Sequence, residues 1–126
     1  MLLDDLYTYL TAQSGLITTA WPLFLGYIPD ESDQCVALFE TGGMPPDTLN
    51  RENERVTFQM RVRGNRFDYA TVRRKWQDVF EALQDSSPTS AYAFIQAAHL
   101  GPLEFGDPSG RVNMTANFRV MRSRTI

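Results

Sequence analysis

Between Arg55 and Arg63 apolar and polar residues alternate without a break, with Val56, Phe58, Met60 and Val62 set against Arg55, Thr57, Gln59, Arg61 and Arg63. A period of two is that of a strand with one face in a core and the other toward solvent or a partner. The same alternation returns from Arg111 to Met121, where Val112, Met114, Ala116, Phe118 and Val120 interleave with Asn113, Thr115, Asn117, Arg119 and Met121. Between these strands the period changes. Tyr69, Val72, Trp76, Val79, Phe80 and Leu83 recur at helical spacing, with Asn65 as a candidate cap and Asp68 suited to the positive end. A second amphipathic helix is expected over residues 2–13, where Leu2, Leu3, Leu6, Tyr7 and Leu10 share a stripe, Asp4 and Asp5 favour the dipole, and Gly15 offers a stop.

The remaining elements are shorter. Leu23 to Ile28 has strand composition and ends at Pro29; an acidic turn, Asp30-Glu31-Ser32-Asp33, leads into Gln34 to Glu40, an apolar run suited to a central strand. Ala91 to Gln96 reads as another strand, and Leu103-Glu104-Phe105 with the Arg111 strand flanks Asp107-Pro108-Ser109-Gly110, the composition of a type I turn in a hairpin. The expected fold is α+β: a single mainly antiparallel β-sheet backed by two amphipathic helices, with a long loop around residues 41–53 that holds Gly42, Gly43, Met44, Pro45 and Pro46. A chain of 126 residues fits one core, so residues 1–126 are expected to form one domain.

Charge changes this picture. All twelve basic residues lie between Arg51 and Arg124, so the first fifty residues, with seven acids, carry −7, and the rest, with twelve bases and eight acids, carry +4. Eleven of the twelve bases are arginine, whose planar donor fork and weak hydration suit desolvated contacts with carboxylate or phosphate. A compositional preference of the lineage accounts for the excess equally well. Cys35 is the only cysteine, so no intrachain disulfide can form, and its apolar neighbours predict a buried small hydrophobe. No segment approaches the roughly 20 apolar residues of a membrane span, and Asp4 and Asp5 replace the basic flank of a signal peptide. The expectation is a protein made in the cytoplasm, with no membrane partner.

Candidate chemistry is sparse. His99 is the only histidine, which excludes a His-based zinc cluster and favours a structural histidine at a strand end. Asp30, Glu31 and Asp33 lack the glycine and distal glutamate of a calcium loop, and Gly42-Gly43 is not followed by the Lys-Ser/Thr of a phosphate loop. We therefore expect no enzyme, no cofactor and no metal site. A basic sheet interleaved with aromatics can hold single-stranded nucleic acid, but the alternation puts Phe58 on the apolar face, away from Arg61 and Arg63, and the net charge of −3 weakens long-range attraction.

Several segments together resemble a known group. Leu2-Leu3-Asp4-Asp5-Leu6, Phe24-Leu25-Gly26 through Pro29-Asp30 to Cys35-Val36-Ala37-Leu38-Phe39-Glu40-Thr41-Gly42-Gly43 and Pro45-Pro46, Gln59-Met60-Arg61-Val62-Arg63-Gly64, and Asn117-Phe118-Arg119 look like the phage and prophage minor capsid proteins. These resemble tail terminators and head-tail joining proteins of long-tailed phages. The resemblance implies a structural virion protein, a homo-hexameric ring seated on the last ring of tail-tube protein, that ends the tail, docks the head connector and lets DNA pass. The residues add a means of closure, since a head-to-tail contact joins two different patches of one subunit. Arg61, Arg63 and Arg119 are the candidate basic side and Asp30, Glu31, Asp33 and Glu40 the acidic side; Gly42, Gly43, Met44, Pro45 and Pro46 would reach a neighbour. The alternatives are a small nucleic-acid-binding module and a generic module that binds another virion protein.

Overall fold

The structure is a computed structural model, and it describes residues 2–31, 33–42, 53–84, 95–99, 101–105 and 109–123. These residues form helices α1 (Leu2–Thr11) and α2 (Tyr69–Leu83) and strands β1 (Leu23–Leu25), β2 (Cys35–Glu40), β3 (Asn53–Arg66), β4 (Gln96–Ala97), β5 (Leu103–Phe105) and β6 (Arg111–Ser123). The strands make one sheet in the order β1-β2-β3-β6-β4, with β5 also on β6. Every pairing is antiparallel except that of β1 with β2. This is the α+β architecture that the alternating strands and helical stripes predict.

Register explains which face is dry. Val62 lies opposite Val36 on one side and Met114 on the other, Met60 opposite Leu38 and Ala116, and Phe58 opposite Phe118. All of these are buried and belong to one cluster with Leu2, Leu6 and Leu10 of α1 and Val72, Trp76, Val79, Phe80 and Leu83 of α2. A ring series runs through it: Trp76 stacks on Phe80 at 4.7 Å, Phe80 tilts against Phe118 at 5.7 Å, and Phe118 stacks on Phe58 at 5.1 Å. The Trp76 indole N–H, which needs a partner when buried, donates to the Thr115 carbonyl at 3.2 Å. The two helices are joined where the Tyr9 hydroxyl donates to the Ala82 carbonyl at 2.7 Å.

Some boundaries differ from those expected. β3 continues to Arg66, so Asn65 lies in the strand and caps nothing; α2 starts after Asp68, which makes no side-chain capping bond. β1 stops at Leu25 because Gly26 takes a φ of +80°, a left-handed conformation open to glycine. Asn53, expected to close the 41–53 loop, instead begins β3 and pairs with Ser123. Of its predicted contact residues only Gly42 is described; Gly43, Met44, Pro45 and Pro46 lie outside the described residues, as does most of the 91–96 strand, whose end survives as β4.

The β6 edge is interrupted. Ala97 pairs with Phe118 and Leu103 with Thr115, so six steps of the edge chain are set against three of β6. His99 spans the break: its Nδ1 lies 2.6 Å from the Gly101 carbonyl, and its Nε2 accepts the Asn117 N–H at 3.2 Å. Because a carbonyl can only accept, Nδ1 carries the proton and Nε2 the lone pair. The structural role expected of His99 is thus to replace a ladder carbonyl with a ring nitrogen.

Candidate subunit interface

The sheet face turned away from the helices carries Cys35, Ala37 and Phe39 of β2, Thr57, Gln59, Arg61 and Arg63 of β3, and Asn113, Thr115, Asn117 and Arg119 of β6, as the cross-strand register requires. The alternation therefore assigns the arginines to the correct side, but the three differ in availability. Arg119 is exposed, Arg61 is half-buried, and Arg63 is only 5% exposed. Arg63 donates to the Pro29 carbonyl at 2.6 Å, so its guanidinium holds the β1–β2 connection onto the sheet. A strand pattern shows which face a side chain takes and not what folds back over it.

Arg61 lies with its guanidinium 5.0 Å over the Phe39 ring. Phe58 lies on the apolar face as expected, but Phe39 of the neighbouring strand brings a ring to the arginine face. Phe39 pairs with Gln59, next to Arg61, so cross-strand register puts a ring there that the pattern within one strand cannot show. Burial, and secondarily the neighbouring Arg63 charge, lowers the Arg61 guanidinium from its ordinary value.

The acidic candidates are not spatially separate from the bases. Arg111, which no local pattern marks, directs Nη2 toward Asp30 Oδ1 and Nη1 toward Asp33 Oδ1, both at 3.7 Å, and Nη1 also donates to the Asp30 carbonyl at 3.2 Å. The Asp30 side chain is 97% exposed, and an exposed pair of that length is weakly held and exchangeable. Glu31 and Glu40 are exposed. Glu40 lies opposite Phe58, so its register puts it on the helix side of the sheet rather than among the arginines. Cys35 is fully buried, and burial pushes its thiol up despite the lowering effect of Arg63, Arg111 and Arg61; the small hydrophobe expected there is what the structure shows.

Among the described residues no three of His, Cys, Asp and Glu converge as metal ligands. Among the described residues no helix is long and apolar enough to cross a membrane. Arginine donors, amides and an aromatic share this face of the sheet, and a search of curated proteins found no match. The profile of the bacteriophage tail terminator protein family, in contrast, matches residues 4–120, a span that takes in every helix and strand except the start of α1 and the end of β6. The chain belongs to the bacteriophage tail terminator family, and its place is in the structure of the phage tail.

Proposed function

We propose that residues 1–126 act as one tail-terminator unit that assembles into a homo-hexameric ring on the last ring of tail-tube protein, ends the tail there, and offers its other side to the head connector. DNA would pass through the ring, and the subunit would be made in the host cytoplasm before joining the virion. The family match over residues 4–120 carries this reading. Supporting it is the polar sheet face, on which exposed Arg119 and half-buried Arg61 would meet acids of an adjacent subunit, with Asp30, Glu31, Asp33 and Glu40 as their partners, while Arg63 braces the face from within. Bidentate arginine–carboxylate pairs fix angle as well as distance, and angle decides whether a head-to-tail contact closes.

Since Arg63 holds Pro29, the sharper probe is exposed Arg119. Arg119→Glu is expected to keep its circular dichroism spectrum and to fail both in light-scattering assays of assembly with tail-tube protein and in complementation of a phage lacking the protein. A folded variant that assembles and yields full titre would show that this face is merely solvated. The nucleic-acid reading draws on the Phe39–Arg61 pair, and it requires DNA affinity that falls steeply with salt.

A further inference from the structure

The most exposed large apolar side chain among the described residues is also conformationally strained. Phe67, in the turn between β3 and α2, is 81% exposed and has a φ of +59°, the only positive value at a non-glycine position among the described residues. Left-handed backbone is costly for a residue with a Cβ, and such outliers persist only where the surroundings enforce them. Here the surroundings do: the Phe67 N–H donates to the Gly110 carbonyl at 3.3 Å, and the Asp68 N–H to the Asn65 carbonyl at 3.2 Å. Gly110, itself at a φ of +84°, lies so near the ring that a Cβ there would come 3.4 Å from Phe67 Cζ, and the Arg66 guanidinium stands 5.5 Å from the ring centroid. The ring is held in place and held outward, and neither its burial nor its backbone gains from that within the subunit.

We propose that Phe67 is the aromatic anchor by which one copy of this chain grips the next. The partner is argued from charge. Residues 61–75 contain six of the chain's twelve bases and one acid, while residues 1–50 contain no base and seven acids. Phe67 is flanked by exposed Arg66 and followed by exposed Arg74, and the outer side of α1 exposes Asp4 and Tyr7. A second copy thus supplies both an acidic surround and an aromatic for the ring to meet, and the contact joins two different patches, as ring closure demands. This inference rests on the ring reading but identifies a contact away from the arginine sheet face.

The test is Phe67→Gly in the full chain, followed by thermal unfolding and by light scattering over a concentration series. Glycine relieves the backbone, so the variant should melt at or above the wild-type temperature. As a central anchor, the ring's loss should weaken self-association by roughly tenfold or more. A variant as stable as wild type that associates equally well overturns the anchor. One that associates normally but no longer binds tail-tube protein also overturns it, because the occupant is then a different protein. If wild type itself stays monomeric at every concentration and with tail-tube protein present, the ring reading fails and takes the anchor with it.

Discussion

Gly64 and Val72 stand so close that a Cβ built on the glycine would lie 2.0 Å from Val72 Cγ2. Val72 is fully buried in the first turns of α2 and its side chain is β-branched, so it has little freedom to withdraw. The glycine that ends Arg61-Val62-Arg63-Gly64 is thus where helix α2 rests on β3, next to the register shift between Arg63 and Arg66. Gly64→Ala should cost about 1–3 kcal/mol by overpacking, read by denaturant unfolding. Combined with Val72→Ala it should cost less than the two single changes together, since the clash is shared. Strictly additive costs would separate the two residues.

Trp76 joins three roles: it fills the core, stacks on Phe80, and donates to the Thr115 carbonyl. Trp76→Ala should destabilise by about 3–5 kcal/mol. Trp76→Phe keeps most of the ring and loses the donor, so it should cost less but more than nothing. An unchanged melting temperature in the alanine variant would mean that α2 does not back the sheet.

Lys75, the only lysine, is buried on α2; its ammonium donates to the Leu16 carbonyl and lies 5.6 Å from the Trp21 ring. Burial pulls it below the ordinary lysine value, against the raising effect of Asp78. The folded chain therefore releases this proton before the unfolded chain does. Its contribution to stability is fully present above about pH 10.4, the unfolded lysine value, and is lost as pH falls through the lower folded value. Lys75→Met should remove that alkaline rise and flatten the dependence of melting temperature on pH on the approach to the unfolded lysine value. An identical pH profile for the two proteins would place the ammonium in effective contact with water.

What could be read from the sequence is what periodicity encodes. Val56 to Val62, Val112 to Val120 and the Val72-Trp76-Val79-Leu83 stripe each state their own face, and all were placed correctly because burying one face leaves few arrangements open. The parallel seat of β1, the Phe39–Arg61 stack and the hold of Arg63 on Pro29 depend on residues far apart in the chain, and no local pattern announces them. Phe67 was missed for a different reason. A left-handed position is usually marked by glycine or asparagine, and Gly64 and Asn65 occupy nearby positions that do not use that conformation.

The plug that His99 makes in the β6 edge bears on solubility. An unpaired strand edge is a template for another chain, and proteins that occur at high local density must blunt it. Among the described residues this sheet ends in three residues on the β1 side, and on the other side in pieces of two and three residues with an imidazole between them. A foreign strand that approached β6 near Asn117 would find the amide already taken by a ring nitrogen, with no carbonyl to displace. Subunits crowded together at a growing tail would then be kept from fusing their sheets, and contact between them would be left to side chains that can let go.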